Sequence, residues 1–130
     1  MKKYKFVVVV DGRFLYLEVV PELRRDDLLE CSKEELLTLS IRKWWKVHDW
    51  VKNNQDNVDR FCQRGYFTCG LCVGLNNDCI QCPISKYAND FCCYNTPYWK
   101  FTIDPNVQTA KAELDFLREV RSWWRETNGP

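Results

Sequence analysis

Hydrophobic and polar positions divide this chain into three kinds of segment. Two β-rich runs, Lys3 to Val10 and Phe14 to Val20, flank Asp11-Gly12-Arg13. Asp-Gly between β-branched and aromatic residues is a strong hairpin signal, because the glycine reaches the positive φ that a tight turn demands. Pro21 closes the second run, and the charged stretch ELRRDDLLE after it reads as a connector or short helix. An isolated ribbon is marginal in water, so this one is expected to lie on another element.

The period then changes to that of helices. Ser32-Lys33-Glu34-Glu35 has the form of a capping box, in which the serine hydroxyl satisfies an early backbone donor and the glutamate reaches back. Leu37, Ile41, Trp44, His48 and Val51 follow at three- and four-residue spacing, which puts them on one face, and Asn53-Asn54 offers a stop. The spacing predicts an amphipathic helix of about five turns. Near the other end, Asp104 is a candidate cap with Pro105 at the first helical position, and Ala110, Leu114, Leu117 and Trp124 trace a second stripe before Gly129.

With 130 residues, one domain is expected. Its parts are a hairpin and connector over residues 1–30, a helix over 31–60, an insert over 61–103 and a C-terminal helix over 104–130. The expected class is therefore α+β: an N-terminal β-hairpin and two long amphipathic helices, with the insert between them. A formal charge of +1 excludes a strongly basic nucleic-acid coat and argues against electrostatic capture by an anionic membrane. The apolar run from Phe6 to Val10 is too short for a signal-peptide core, and no segment has the length of a spanning helix. A cytoplasmic protein without a membrane segment is expected.

Residues 61–103 hold seven of the eight cysteines, nine of the nineteen aromatics and only five charged residues. In a reducing compartment, clustered thiols are more often metal ligands than disulfides. Cys69-Gly-Leu-Cys72 and Cys79-Ile-Gln-Cys82 are two C-x2-C pairs separated by VGLNND, a sequence able to fold back as a turn. In a metal knuckle the two intervening residues turn the chain so that both sulfurs converge, and two knuckles make a tetrahedral four-thiolate site. Zinc is the expected ion because it accepts four thiolates without redox chemistry. An iron-sulfur cluster is the alternative, since it also takes four thiolates and Cys82-Pro83 has the Cys-Pro form that ends bacterial ferredoxin runs. Cys31 and Cys62 read as packing residues.

The pattern C-x2-C-x6-C-x2-C-P followed by C-x2-T-P-Y resembles a group of small cysteine-rich proteins of phages, prophages and archaeal viruses, uncharacterised and taken to bind zinc. The matching residues are Cys69, Cys72, Cys79, Cys82-Pro83 and Cys93-Tyr94-Asn95-Thr96-Pro97-Tyr98. The Trp-containing helix before the cysteines and AKAELDFLREV after them are also similar, so the resemblance covers roughly residues 36–120. It implies that Cys93 rather than Cys92 is a ligand, giving five candidates for four positions. It implies no activity.

His48 is the only histidine, lies on an apolar stripe and has no nucleophile partner in sequence. No P-loop, dinucleotide fingerprint, H-E-x-x-H or G-x-S-x-G occurs, so no enzyme is expected. The pairs Trp44-Trp45 and Trp123-Trp124 put neighbouring indoles about 100° apart on their helices, one of each pair toward the core and one at its edge. Together with Tyr98 and Trp99 they are the candidate contacts for a protein partner. Arg42-Lys43-Trp44-Trp45-Lys46 is the candidate for nucleic-acid contact, through stacking and phosphate pairing. The expected function is that of a zinc-binding accessory protein of viral or mobile-element origin that binds another protein. The alternative is a zinc-dependent nucleic-acid binder.

Overall fold

A computed structural model of the chain describes residues 5–10, 13–18, 25–53, 75, 78–89 and 96–128. Four α-helices run along these segments: α1, Lys33–Asn53; α2, Pro83–Ala88; α3, Pro97–Ile103; and α4, Val107–Asn128. Leu28 joins the core from a 3-10 turn at Arg25–Glu30. Every buried apolar residue described belongs to these helices and that turn.

The α+β class is therefore corrected, because the packed body is helical. The backbone of Lys5–Val10 does pair antiparallel with Arg13–Glu18, in the register Lys5 to Glu18 through Val10 to Arg13. Among the described residues this is a two-stranded ladder. The physical reason lies in α1. Leu36, Leu37, Leu39, Ser40, Ile41, Lys43, Trp44, Val47 and Val51 are all buried, an arc of roughly 200° at 3.6 residues per turn. A helix covered that far round finds its apolar cover on other helices.

The start of α1 is a closed capping box. The Ser32 hydroxyl accepts from the Glu35 N–H at 3.1 Å, and the Ser32 N–H donates to Glu35 Oε1 at 3.0 Å. Donation to the carboxylate, first by the Ser32 backbone N–H and second by the Ser32 side chain, holds the Glu35 carboxyl below its ordinary pKa. A depressed carboxylate pKa contributes stability above the unfolded value and loses it as pH falls through the folded value. Ser32→Ala is expected to cost about 1 kcal/mol near neutral pH. In urea titrations the gap between variant and parent should narrow below about pH 4, where carboxylates protonate. A gap that stays constant into acid would separate Ser32 from Glu35.

Helix α4 begins later than Asp104-Pro105 predicts. Asp104 instead ends α3, its N–H donating to the Lys100 carbonyl at 3.0 Å, with φ −137° and ψ 80°. Pro105 restricts the residue before it to such non-helical values. The cap of α4 is Asn106, whose side-chain oxygen accepts from the Thr109 N–H at 2.9 Å, while the Asn106 N–H donates to the Thr109 hydroxyl at 3.0 Å. The proline thus separates two helices where a single start was expected.

Helices α1 and α4 are antiparallel. Arg125 pairs with Glu34, and Arg121 donates to the Thr38 hydroxyl at 3.3 Å. Each step of one turn along α1 is met by a step of one turn back along α4. Leu114, Leu117 and Val120 line the buried side of α4. Each of these helices buries one charged residue: Lys43 on α1 is 1% exposed and Glu113 on α4 2% exposed. The register sets them about one turn apart along the paired helices. Burial of opposite charges on facing helices favours one pairing of those helices over slipped alternatives.

Candidate functional site

Of the five candidate ligands, Cys79 and Cys82 are described; Cys69, Cys72 and Cys93 lie outside the described residues, as do Cys62 and Cys92. Cys79-Ile80-Gln81 is a 3-10 turn, and the Cys82 N–H donates to the Cys79 carbonyl at 3.2 Å. The Asp78 carboxylate accepts from the Ile80 N–H at 3.2 Å and caps the turn. Asp78 is thus a structural residue of the knuckle that the spacing of thiols did not reveal. Its place just before the first cysteine is the Asx-turn signal that could have found it.

Cys82 is also the cap residue of α2, with Pro83 at the first helical position. Proline is suited there because its missing N–H would have no intrahelical partner. Helix α2 ends at Asn89, whose φ of 52° is left-handed, a conformation asparagine tolerates better than most residues. Both knuckle cysteines are half-buried. Two thiols held at either end of a hydrogen-bonded turn fit half of a four-thiolate zinc site. Among the described residues no group of three or more Cys, His, Asp or Glu side chains gathers at one point.

The knuckle is fastened to the helices. Lys33 at the start of α1 donates to the Gln81 side chain at 3.1 Å. Its ammonium also stands 5.5 Å from the centroid of the Trp124 ring near the end of α4. Lys86 on α2 approaches the same ring at 5.9 Å. Tyr87, beside it, meets Trp123 at 5.4 Å and Phe116 at 5.7 Å, both near edge-to-face. Trp123 and Trp124 are themselves 6.2 Å apart. Three elements therefore converge on one aromatic cluster at the α2 side of α4.

The first tryptophan pair behaves differently. Trp44 is buried, with Phe101 at 4.9 Å and Tyr98 at 6.1 Å, both rings perpendicular to the indole. Trp45 is 53% exposed and Trp99 44% exposed. Trp44 is thus a core anchor for α3, while Trp45 and Trp99 face solvent. Trp123, Trp124 and Tyr98 are all half-buried. The basic run from Arg42 to Lys46 does not form an unbroken cationic strip, because Lys43 and Trp44 are inside. His48 is half-buried at the edge of the α1 arc.

Cys31 is separate from the knuckle. Its thiol donates to the Asp27 carbonyl at 3.5 Å. Burial first, and then the charges of Glu35, Asp27 and Glu30, push its pKa up. A raised pKa keeps the neutral thiol and makes it a poor nucleophile at neutral pH. Arg121 has its pKa lowered, first by burial and then by the like charge of Arg125.

No described helix is long and apolar enough to cross a membrane. No protein family matches this chain, and neither does any curated protein or solved structure.

Proposed function

We propose that this protein is a small zinc-stabilised helical module that acts by binding another protein. The observation that carries the reading is the Cys79–Cys82 turn, capped by Asp78 and tied through Gln81 to Lys33. A turn built this way presents two thiols to a common ion and joins that ion to the helix bundle. Cys69, Cys72 and Cys93 are the candidates for the remaining positions, on the C-x2-C spacing and on the resemblance to cysteine-rich phage and archaeal-virus proteins. When bound, zinc supplies a rigid crosslink and no redox chemistry. The resemblance also favours an origin in a virus or mobile element. Binding through aromatic side chains is supported by Trp45 and Trp99, which are exposed, and by the half-buried Trp123-Trp124 cluster. Nucleic-acid binding is the weaker reading, since burial of Lys43 interrupts its best cationic run.

Metal content and the visible spectrum of protein purified without chelator test the zinc assignment. Colourless protein with about one zinc per chain is expected. A brown product absorbing in the visible would transfer the site to iron-sulfur chemistry. Metal-free protein lacking free thiols would replace both with disulfides.

A further inference from the structure

The partner's chemistry can be read from the cluster around Trp124, on the footing that the protein is a binding module. We propose that Lys33, Lys86 and the Trp124 indole form a docking face for a short acidic segment of the partner, carrying carboxylates beside an apolar side chain.

The geometry comes from three elements. Lys33 opens α1, Lys86 lies on α2 and Trp124 lies near the end of α4. Both ammonium groups sit within 6 Å of one ring centroid, at 5.5 and 5.9 Å, so they are at most about 11 Å from each other. Carboxylates two residues apart on an extended strand stand about 7 Å apart, a separation two such ammoniums can receive. Lys33 is held by its hydrogen bond to Gln81, which spends one of three ammonium donors and fixes the others in place. Preorganisation of this kind lowers the ordering cost of binding.

The nearby acids do not neutralise the face. Glu34 is engaged by Arg125, and Glu35 closes the capping box with Ser32. The apolar component comes from the half-buried rings of Tyr87, Trp123 and Trp124 and from Ile80, which is 67% exposed beside Gln81. Aromatic rings next to fixed cations suit a peptide with alternating acidic and apolar residues. A polyphosphate chain fits less well, because it has no apolar group to cover Ile80 and the half-buried rings of Tyr87 and Trp123. The metal knuckle and the docking face are mechanically one unit. Cys79 and Cys82 bracket Gln81, and Cys82 abuts α2 with Lys86 on it.

The test uses the full chain, purified without chelator, against a display library of random 12-residue peptides. Enrichment of Asp- and Glu-rich sequences containing Trp, Phe or Leu is expected. A synthesised representative, followed by tryptophan fluorescence, should bind on the order of tenfold more weakly to Lys86→Glu and weaken again as salt rises. Lys33→Glu should do the same once circular dichroism shows its helices intact. Lys100→Glu, exposed on α3, should bind like the parent. Enriched peptides without acidic bias, acidic peptides indifferent to Lys86→Glu, or no enrichment would each overturn the proposal. Displacement of the peptide by a tighter-binding single-stranded 12-nucleotide oligomer would overturn it in favour of nucleic acid. Metal-free protein that still selected acidic peptides would sink the zinc assignment and leave the docking face standing.

Discussion

Phe101→Ala is expected to destabilise the chain by about 3–5 kcal/mol, the usual cost of removing a fully buried phenylalanine. Phe101 is 0% exposed and meets Trp44 edge-to-face at 4.9 Å. Edge-to-face pairing accounts for roughly 0.5–1.5 kcal/mol, and the remainder is lost burial and the cavity left behind. Trp44 comes from α1, whereas Phe101 comes from α3, a seven-residue helix with no independent stability. Truncating the ring therefore removes the contact that fixes α3 against α1. Against a net domain stability of about 5–15 kcal/mol, this is a large fraction. Urea unfolding followed by circular dichroism should show a lower midpoint. Trp99→Ala, at an exposed position of the same helix, should cost clearly less. Equal losses from the two variants would contradict the orientation of α3.

Cys82→Ser is expected to cost far more stability than Cys31→Ser, which should cost only about 1 kcal/mol. Structural zinc contributes on the order of 10–16 kcal/mol of apparent binding free energy at neutral pH. Losing a ligand therefore threatens all the order that the insert draws from the metal. Cys82 stands at the cap position of α2 without a side-chain cap hydrogen bond, so serine there leaves the cap intact and the loss should come through the metal. Release of Tyr87 from Trp123 and Phe116 would then shift the tryptophan emission. Cys31 has only a weak thiol hydrogen bond to a backbone carbonyl, which a serine hydroxyl can replace. A chelator supplies the complementary measurement. It should bring the parent chain down to the stability of Cys82→Ser and leave that variant unchanged. Equal losses from Cys31→Ser and Cys82→Ser, or a parent indifferent to chelator, would contradict the division between ligand and packing thiols.

Local signals proved legible wherever a few adjacent residues settle the outcome. The Ser32 to Glu35 capping box forms as its four letters indicate. Thr96 is extended before Pro97, since the clash behind that restriction is between neighbours. The α1 stripe was legible in part. Leu37, Ile41, Trp44 and Val51 are buried, but the arc also takes in Leu36, Ser40, Lys43 and Val47. Ser40 and Lys43 concealed its true centre, because a hydroxyl and an ammonium read as solvent-facing in any hydrophobic pattern. Helices α2 and α3 were not legible, being six and seven residues long. Segments that short show less than two full turns of periodicity. Their order comes from docking Tyr87 on α4 and Phe101 on Trp44.

The candidate site divides along the same line. Thiol spacing alone singled out Cys79 and Cys82 as a knuckle, because a C-x2-C turn is a local geometry. Asp78 could have been added from its Asx position. Gln81 and Lys86 could not, since nothing in their surroundings in sequence points to Lys33 or Trp124, many residues away.

By itself, then, the sequence determined the capped start of α1, the proline-set backbone at Thr96 and Pro97, and the turn between Cys79 and Cys82. Each rests on sterics or hydrogen bonds between residues a few positions apart. Only the tertiary structure decided that the packed body is helical rather than α+β, that Lys43 and Glu113 are buried, and that Lys33 and Lys86 approach one indole. Those outcomes depend on which apolar surface each helix finds as cover. That choice is a comparison of long-range packings, and no local pattern of residues encodes it.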